Sequence, residues 1–121
     1  MGSMIFRNKQ GIPFIQQKRK DFVKDKVEYI KESFDAFSKL KGDAELFTYV
    51  QLILSFFNKH KIYSSRTISF FVDLDIEYSI MKHFDIDSVL QREVREEFKA
   101  ESIRSNNMIN KVVEIISNTE A

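Results

Sequence analysis

The sequence predicts an α+β fold that is dominated by helices and contains one long amphipathic strand. Two observations predict it. Apolar residues recur every three or four positions over residues 17–41, and they alternate with polar residues over residues 68–80. The first spacing is typical of an amphipathic helix and the second of a half-buried strand. An all-α fold, with residues 65–84 helical, is the alternative.

The composition is that of one domain with a real core. The chain has 121 residues, of which 43% are hydrophobic and 31% charged, which is too short for two domains of ordinary size. We expect residues 1–3 to be a cloning remnant and residues 4–121 to form a single domain. The absence of cysteine excludes disulfides, thiolate metal sites and cysteine nucleophiles.

The N-terminal residues predict a short hairpin. Residues 4–15 contain two short apolar runs on either side of the turn-like segment Asn8–Gly11. Pro13 cannot donate a hydrogen bond to a neighbouring strand, so the second run is expected to lie at a sheet edge.

Two long helices are expected next. The first covers residues 17–41, and Gly42 ends it while Asp43 caps the following helix. The second covers residues 43–60 and is apolar nearly all round, which predicts burial in the core or in an oligomer interface. The apolar stripe of the first helix consists of Val23, Val27, Ile30, Phe34, Phe37 and Leu40.

The alternating segment is interpreted as one long strand. From Ile68 to Ile80 every second residue is apolar, and Phe71 is the only apolar residue among those between. An exposed phenylalanine among carboxylates is typical of a protein contact surface. The strand has few local partners for its backbone, which predicts a two-fold homodimer. The interaction candidates are therefore Phe71, Asp73, Asp75 and Glu77.

Two C-terminal helices are expected at residues 87–103 and 106–117, separated by Ser105-Asn106-Asn107. Ser88 and Gln91 match a capping box, and Arg92 and Glu96 have the spacing of an ion pair. The core faces are predicted to contain Val89, Leu90, Val94 and Phe98 in the first helix, and Met108, Ile109, Val112, Val113 and Ile116 in the second.

The carboxylates of the predicted strand suggest a metal site, which is the least favoured of three functional interpretations. Alternate side chains on a strand point the same way, roughly 6–7 Å apart, as two ligands of Mg²⁺ would. Residues Phe71–Glu77 resemble the first metal-binding motifs of primase-polymerases and haloacid-dehalogenase-like phosphatases, and the Asp-x-Glu motif of proofreading exonucleases. Each family needs further acids, lysines or histidines on later strands, whereas residues 78–121 predict helices. A nucleotidyl- or phosphoryl-transferring enzyme that uses Asp73, Asp75 and Glu77 is therefore disfavoured.

A nucleic-acid-binding regulator is the second interpretation. It would use a helix-turn-helix with helices at Phe47–His60 and Ser65–Leu74 and a recognition helix at Glu77–Phe84. That recognition helix has few groups suited to phosphates and base edges, and acidic residues dilute the basic clusters. The nucleic-acid candidates are Lys18, Arg19, Lys20, Lys61 and Arg66.

The leading functional prediction is a non-enzymatic interaction or regulatory protein. Gly-rich phosphate loops and nucleophile elbows are missing from the sequence, so no catalytic residue, metal or cofactor is assigned. The lack of a long apolar run predicts that no segment spans a membrane. Because no signal-peptide pattern is present and cysteine is missing, we expect a cytoplasmic protein. The net charge of +1 gives no overall field that would attract nucleic acid or an acidic partner. We expect a small subunit, adaptor or inhibitor that acts through protein contacts. The amino-acid composition is typical of a low-GC bacterium or its phage.

Overall fold

The structure, a computed structural model, describes the backbone of residues 2–86 and 88–120 and the side chains of residues 17–85 and 89–118. This part of the chain contains helices and no strand, so the predicted α+β fold is wrong and the all-α alternative describes the chain. The elements are α1 (Gly2–Ser33), α2 (Asp35–Lys41), α3 (Asp43–Lys59), α4 (Ser65–Tyr78), a 3₁₀ turn (Ile80–Lys82), α5 (His83–Ile86), α6 (Ser88–Arg95) and α7 (Glu101–Glu120).

The chain divides into two compact units, and the boundary falls inside α3. Unit 1 is Met1–Gln51 and unit 2 is Leu52–Ala121. The single domain expected over residues 4–121 stays a prediction. Among the described residues, none of the helices combines the length and the apolar character that a membrane span requires.

The predicted N-terminal hairpin is wrong, because residues 4–15 lie within α1. A two-stranded hairpin is only marginally stable in water without a further strand or a packed helix. The segment expected to supply that strand, residues 68–80, is itself helical in α4 and the following 3₁₀ turn. The hairpin therefore has no sheet to join in the described part of the chain.

Unit 1 confirms the first half of the predicted apolar stripe and not the second. Val23, Val27 and Ile30 are buried on one face of α1. The helix then ends at Ser33, because Phe34 has φ −129° and ψ 59°, outside the helical region. The helical phase changes at this break, so Leu40 on α2 is 85% exposed instead of buried.

Gly42 separates α2 from α3, as the sequence predicts. Its φ of 78° is left-handed, its N–H donates to the carbonyl of Ser38 at 3.0 Å, and its own carbonyl accepts from the N–H of Leu46 at 3.0 Å. Asp43 is therefore the first residue of α3 and not its cap. Its carboxylate instead pairs with Lys31 Nζ at 2.9 Å.

The predicted range of the second helix is confirmed within one residue by α3. Leu46 and Val50 are buried in unit 1. Its apolar residues are not buried all round, however, because Phe47 in unit 1 and Leu52 in unit 2 are exposed.

The segment interpreted as a strand is helical, and Phe71 shows why. Ile68, Phe71 and Val72 are fully buried on α4, with the three- and four-residue spacing of one helix face. The Ser64 hydroxyl caps the helix by accepting from the N–H of Thr67 at 3.3 Å. The helix ends at Ser79, whose φ of 54° is left-handed.

A cluster of phenylalanine rings forms the core of unit 2. The ring centroids of Phe57, Phe71 and Phe84 lie 5.2–5.6 Å apart. Phe56 extends the cluster, with its ring 5.2 Å from that of Phe57 and 5.4 Å from that of Phe84. These separations and the tilted or edge-on geometries are favourable for aromatic packing. The prediction of Phe71 as an exposed contact residue is therefore wrong.

The C-terminal break lies at residues 96–100, before the predicted position. Ser105, Asn106 and Asn107 are inside α7, and the break separates α6 from α7 instead. Phe98 consequently leaves the helix register and is 84% exposed instead of joining the core. Leu90 and Val94 on α6 and Met108 and Val112 on α7 are buried as expected, whereas Val113 is exposed.

The local contacts predicted for α6 have different outcomes. The Arg92–Glu96 pair is confirmed, with Arg92 Nε 3.9 Å from Glu96 Oε1. The capping box at Ser88 and Gln91 lies outside the described residues, because the Ser88 side chain is not among them.

Candidate functional site

The α3–α4 turn (residues 60–64) and the α6–α7 turn (residues 96–100) are joined by Arg104 of α7. Its side chain is buried at 2% exposure. Nη1 donates to the carbonyls of His60 at 2.7 Å and Val94 at 3.1 Å, Nη2 to that of Lys61 at 3.1 Å, and Nε to that of Lys99 at 3.3 Å. Such carbonyls at helix ends lack intrahelical partners. Arg104 satisfies them, and we call this arrangement the Arg104 junction.

Glu101 fixes the α3–α4 turn from the same helix. Its Oε1 accepts from the N–H of Tyr63 at 2.6 Å and from the N–H of Ser64 at 2.7 Å. These short bonds hold a carboxylate at the N-terminal end of α4, where the helix dipole favours negative charge. Glu101 and Arg104, three residues apart on α7, therefore both hold the α3–α4 turn, one through a carboxylate and the other through a guanidinium.

An ion pair runs along the outer edge of the junction. Lys61 Nζ lies 3.5 Å from Glu97 Oε1, and His60 Nδ1 lies 4.0 Å from Glu97 Oε2. Burial lowers the pKa of His60 from its ordinary value of 6.5, against the opposing attraction of Glu97. The imidazole is therefore mostly neutral at pH 7, and Lys61 supplies the charged partner.

A second set of charged and polar groups connects the α6–α7 turn to α6 and α7. Lys99 Nζ lies 2.6 Å from Glu96 Oε2 and 3.1 Å from Glu93 Oε1, while Asn107 Nδ2 donates to Glu93 Oε2 at 3.2 Å. Burial raises the pKa of Glu93, but the hydrogen bonds from Asn107 and Lys99 outweigh it, and the resulting pKa is lowered. The hydrogen bonds to Glu96 and Glu93 raise the pKa of Lys99. Glu93 and Lys99 are therefore both charged at pH 7.

Three large apolar side chains project from the junction. Phe98 is 84% exposed on the α6–α7 turn, Tyr63 is 62% exposed on the α3–α4 turn, and Ile103 is half exposed on the first turn of α7. The two turns lie side by side, because Tyr63 bonds to Glu101 through its N–H and Arg104 reaches both turns. We call Tyr63, Phe98 and Ile103 the aromatic surface.

A cavity of about 410 Å³ lies between the first turns of α4 and α7. Arg66 and Glu101 supply its charges, and serine and threonine hydroxyls line its walls. Phe70 and Ile109 form its apolar part. We call it the α4–α7 cavity.

The acidic candidates do not share one face. On α4, Asp73 and Glu77 are four residues apart and lie on one side, whereas Asp75 points away from them. Asp75 Oδ1 instead accepts from the N–H of Met81 at 2.9 Å, just beyond the end of α4. The strand geometry that suggested a paired-carboxylate metal site is therefore wrong. In the described residues no group of three or more potential ligand side chains is placed to hold a metal ion.

The helix-turn-helix of the alternative interpretation is not formed by the described residues. Glu77–Phe84 is not one helix, because α4 ends at Tyr78, Ser79 is left-handed, and a 3₁₀ turn leads into the four-residue α5. A recognition helix needs several turns in the major groove. Of the basic candidates, Lys18, Arg19 and Lys20 are exposed on α1 in unit 1, while Lys61 and Arg66 are exposed in unit 2.

Sequence reasoning missed the residues that build the site, namely Glu101, Arg104 and Ser105. One signal was present: Arg104, Met108 and Val112 follow one another at four-residue spacing, so an uninterrupted helix places Arg104 on the buried face. A buried arginine needs several acceptors, and these come from distant turns.

The chain matches no protein-family model, no curated protein and no solved structure.

Proposed function

We propose that this chain is a non-enzymatic adaptor or regulatory subunit that binds another protein through the aromatic surface. One observation carries the proposal: Phe98 is 84% exposed on a turn whose backbone is fixed by a buried arginine. Exposed aromatic side chains that are grouped together are typical of contact sites.

The rigidity of the turn favours binding. A side chain presented on an ordered backbone loses less conformational freedom in a complex than one on a flexible loop. Arg104 bonds to Lys99, the residue after Phe98, and to Val94, at the end of α6. Covering a phenylalanine side chain stabilises a complex by about 2–3 kcal/mol. The free energy gained at Phe98 is therefore offset little by ordering of the turn.

The polar groups around the surface suit the rim of an interface. The Lys61–Glu97 pair lies on the same two turns as Tyr63 and Phe98. Binding hot spots are usually surrounded by polar groups that exclude water and contribute little energy themselves. Charges of both signs also disfavour a partner of strongly uniform charge.

Three projecting side chains suit a partner with a pocket to receive them better than a second copy that presents the same three side chains. A stable interface covers about 800 Å² on each partner, and three projecting side chains supply only part of that area. They suit insertion into an apolar pocket on another protein. The predicted strand edge, one reason to expect a homodimer, is absent from the described residues. Self-association stays a prediction that the same experiment tests.

The test compares how much of a protein partner is captured by the wild type, Phe98→Ser and Tyr63→Ser, with Leu40→Ser as the control. Leu40 is as exposed as Phe98 but lies in unit 1. We expect a protein partner whose capture survives nuclease treatment and that binds both the wild type and Leu40→Ser. When the purified partner is titrated, the two unit 2 variants should bind it at least tenfold more weakly. Equal binding by all four proteins contradicts the proposal. Loss of binding after nuclease treatment would instead support the nucleic-acid interpretation.

Sedimentation equilibrium of the chain alone measures its molar mass and so tests whether it forms a homodimer. A dimer that Phe98→Ser dissociates would assign the aromatic surface to a second copy. A monomer that keeps its affinity for the purified partner would support the proposed subunit role.

A further inference from the structure

The α4–α7 cavity gathers groups that attract an anion. Two helices begin beside it: α4, with Ser64 as its cap, and α7, with Glu101 as its first residue. Each N-terminus acts as roughly half a positive charge. The Arg66 guanidinium, which makes no ion pair with any described residue, adds a full one. Together these exceed the single negative charge of Glu101, and the cavity carries a net charge of roughly +1.

Glu101 shows that this end of α4 accommodates a carboxylate. Its Oε1 accepts two backbone N–H bonds, from Tyr63 and Ser64, at 2.6 and 2.7 Å. Arg66 lies two residues further along and lines the same cavity. A second carboxylate that approaches on the Arg66 side meets a guanidinium whose planar donors match its two oxygens.

Ser105 adds a further polar group to the wall of the cavity. It lines the cavity wall and is buried at 6% exposure. Its Oγ makes no hydrogen bond to any described residue. A buried hydroxyl without a partner is unfavourable. Because a serine hydroxyl can rotate between staggered positions, it is able to donate to an anion held by Arg66.

The far end of the cavity is apolar. Phe70 lies six residues beyond Ser64 on α4, which corresponds to about 9 Å along a helix. Ile109 faces the same space from α7. The volume of about 410 Å³ lies within the range of small-molecule sites. The cavity therefore has a cationic polar end and an apolar end within one small ligand's length.

We propose that the α4–α7 cavity binds a small amphipathic carboxylate. The carboxylate contacts Arg66 and the Ser105 hydroxyl near the start of α4, and an aryl or short alkyl tail packs between Phe70 and Ile109. This site does not include the aromatic surface, so it neither requires nor replaces the proposed protein contact.

The test uses phenylacetate as the probe, with phenylacetamide as its neutral counterpart and inorganic phosphate as an anion without a tail. Titration of the ¹⁵N-labelled chain should give saturable amide shifts at Arg66, Thr67 and Ser105, with a Kd on the order of millimolar. We expect both phenylacetamide and phosphate to bind about tenfold more weakly. No saturable shift with phenylacetate, or equal binding of either comparison probe, would overturn the proposal.

Two variants and a control locate the site. Arg66→Gln should weaken the binding of phenylacetate about tenfold, because it removes the guanidinium that contacts the carboxylate. Since Arg66 is exposed, the substitution should leave the fold intact. Ser105→Ala should weaken it severalfold without lowering the Tm, since the hydroxyl has no partner among the described residues to lose. Arg92→Gln removes an exposed arginine of α6 outside the cavity and should bind normally. Wild-type affinity in Arg66→Gln overturns the proposal even if Ser105→Ala fails to fold.

The same titration on Phe98→Ser separates the two proposals. Phenylacetate should bind this variant as it binds the wild type, because Phe98 does not line the cavity. Loss of phenylacetate binding in a folded Phe98→Ser chain would contradict the placement of the carboxylate in the α4–α7 cavity.

Discussion

The turn between α2 and α3 in unit 1 and the two turns of the Arg104 junction in unit 2 are closed by different kinds of bond. Gly42 closes the first with its own backbone, through partners four residues away on either side. Glu101 and Arg104 close the others with side chains, and the residues they join on the α3–α4 turn lie 37–44 positions away in sequence. A local turn depends on one residue type, whereas the junction depends on the packing of four helices, α3, α4, α6 and α7.

The two units also bury different side chains. The interior of α1 in unit 1 is a narrow aliphatic stripe of Val23, Val27 and Ile30. Unit 2 is built around the rings of Phe57, Phe71 and Phe84. Large rings in mutual contact bury more area per residue than aliphatic side chains do. We therefore expect single substitutions to have their largest effects in unit 2.

The largest expected effect is that of Phe71→Ala. Removal of a fully buried ring from the cluster leaves a cavity, and we expect the free energy of unfolding to fall by about 3–5 kcal/mol. Urea unfolding followed by circular dichroism measures it. Phe98→Ala is the matched control and should change stability by less than about 0.5 kcal/mol. Similar losses in the two variants would contradict the assignment of Phe71 to the core.

Arg104→Met should have the next largest effect. The methionine fills part of the space but leaves four carbonyls without their donor, so we expect a loss of about 3 kcal/mol. Amide exchange should accelerate at Tyr63 and Ser64 as well as in the α6–α7 turn. The exposed Arg92→Met is the control, with a change of less than about 0.5 kcal/mol. A small loss confined to one turn would show that the junction is not a single unit.

Gly42→Ala should have a smaller effect that stays local. No atom lies within 4 Å of the added Cβ, so the cost comes from φ 78° and ψ 162°, a region that L-residues avoid. We expect a loss of about 2 kcal/mol in urea unfolding. The exposed Glu45→Ala, three residues later, should change stability by less than about 0.5 kcal/mol. Wild-type stability of Gly42→Ala would mean that α2 can end without the left-handed residue.

The smallest expected effect is the pH dependence due to His60. Burial lowers its pKa in the folded chain, so folding favours the neutral ring. This stability is fully present above the unfolded value of 6.5 and is lost as the pH falls through the lower folded pKa. Unfolding free energies measured between pH 7.5 and 5 should decrease less steeply in His60→Gln than in the wild type. His83→Gln is the matched control, and an equal flattening in both variants would contradict the role of His60.

The sequence predicts those parts of the fold that depend on nearby residues. The range of α3, the turn at Gly42 and the buried residues Val23, Val27 and Ile30 follow from spacing and from one glycine. The segment 68–80 was misread because its polar residues happen to alternate. Phe71, the exception to that alternation, was the informative residue, since with Ile68 and Val72 it completes a helix face.

The candidate site was not predictable from local preference. Glu96 to Ala100 are residue types that favour or tolerate helix, yet the chain turns there, while Ser105 to Asn107 favour a break and lie inside α7. Tertiary contacts override these preferences, because Arg104 supplies donors to both turns at once, at His60 and at Lys99. A search for charged residues in register with a buried face would have identified Arg104.

The reach of the Arg104 guanidinium also leads to an expectation about the order in which unit 2 folds. Two of its bonds join residues 43 and 44 positions apart, so the intervening chain must already be compact when they form. Closing so long a loop costs chain entropy that the formation of isolated helices does not offset. We therefore expect the α3–α4 and α6–α7 turns to reach their native shape together, in a late folding step that follows the docking of α7.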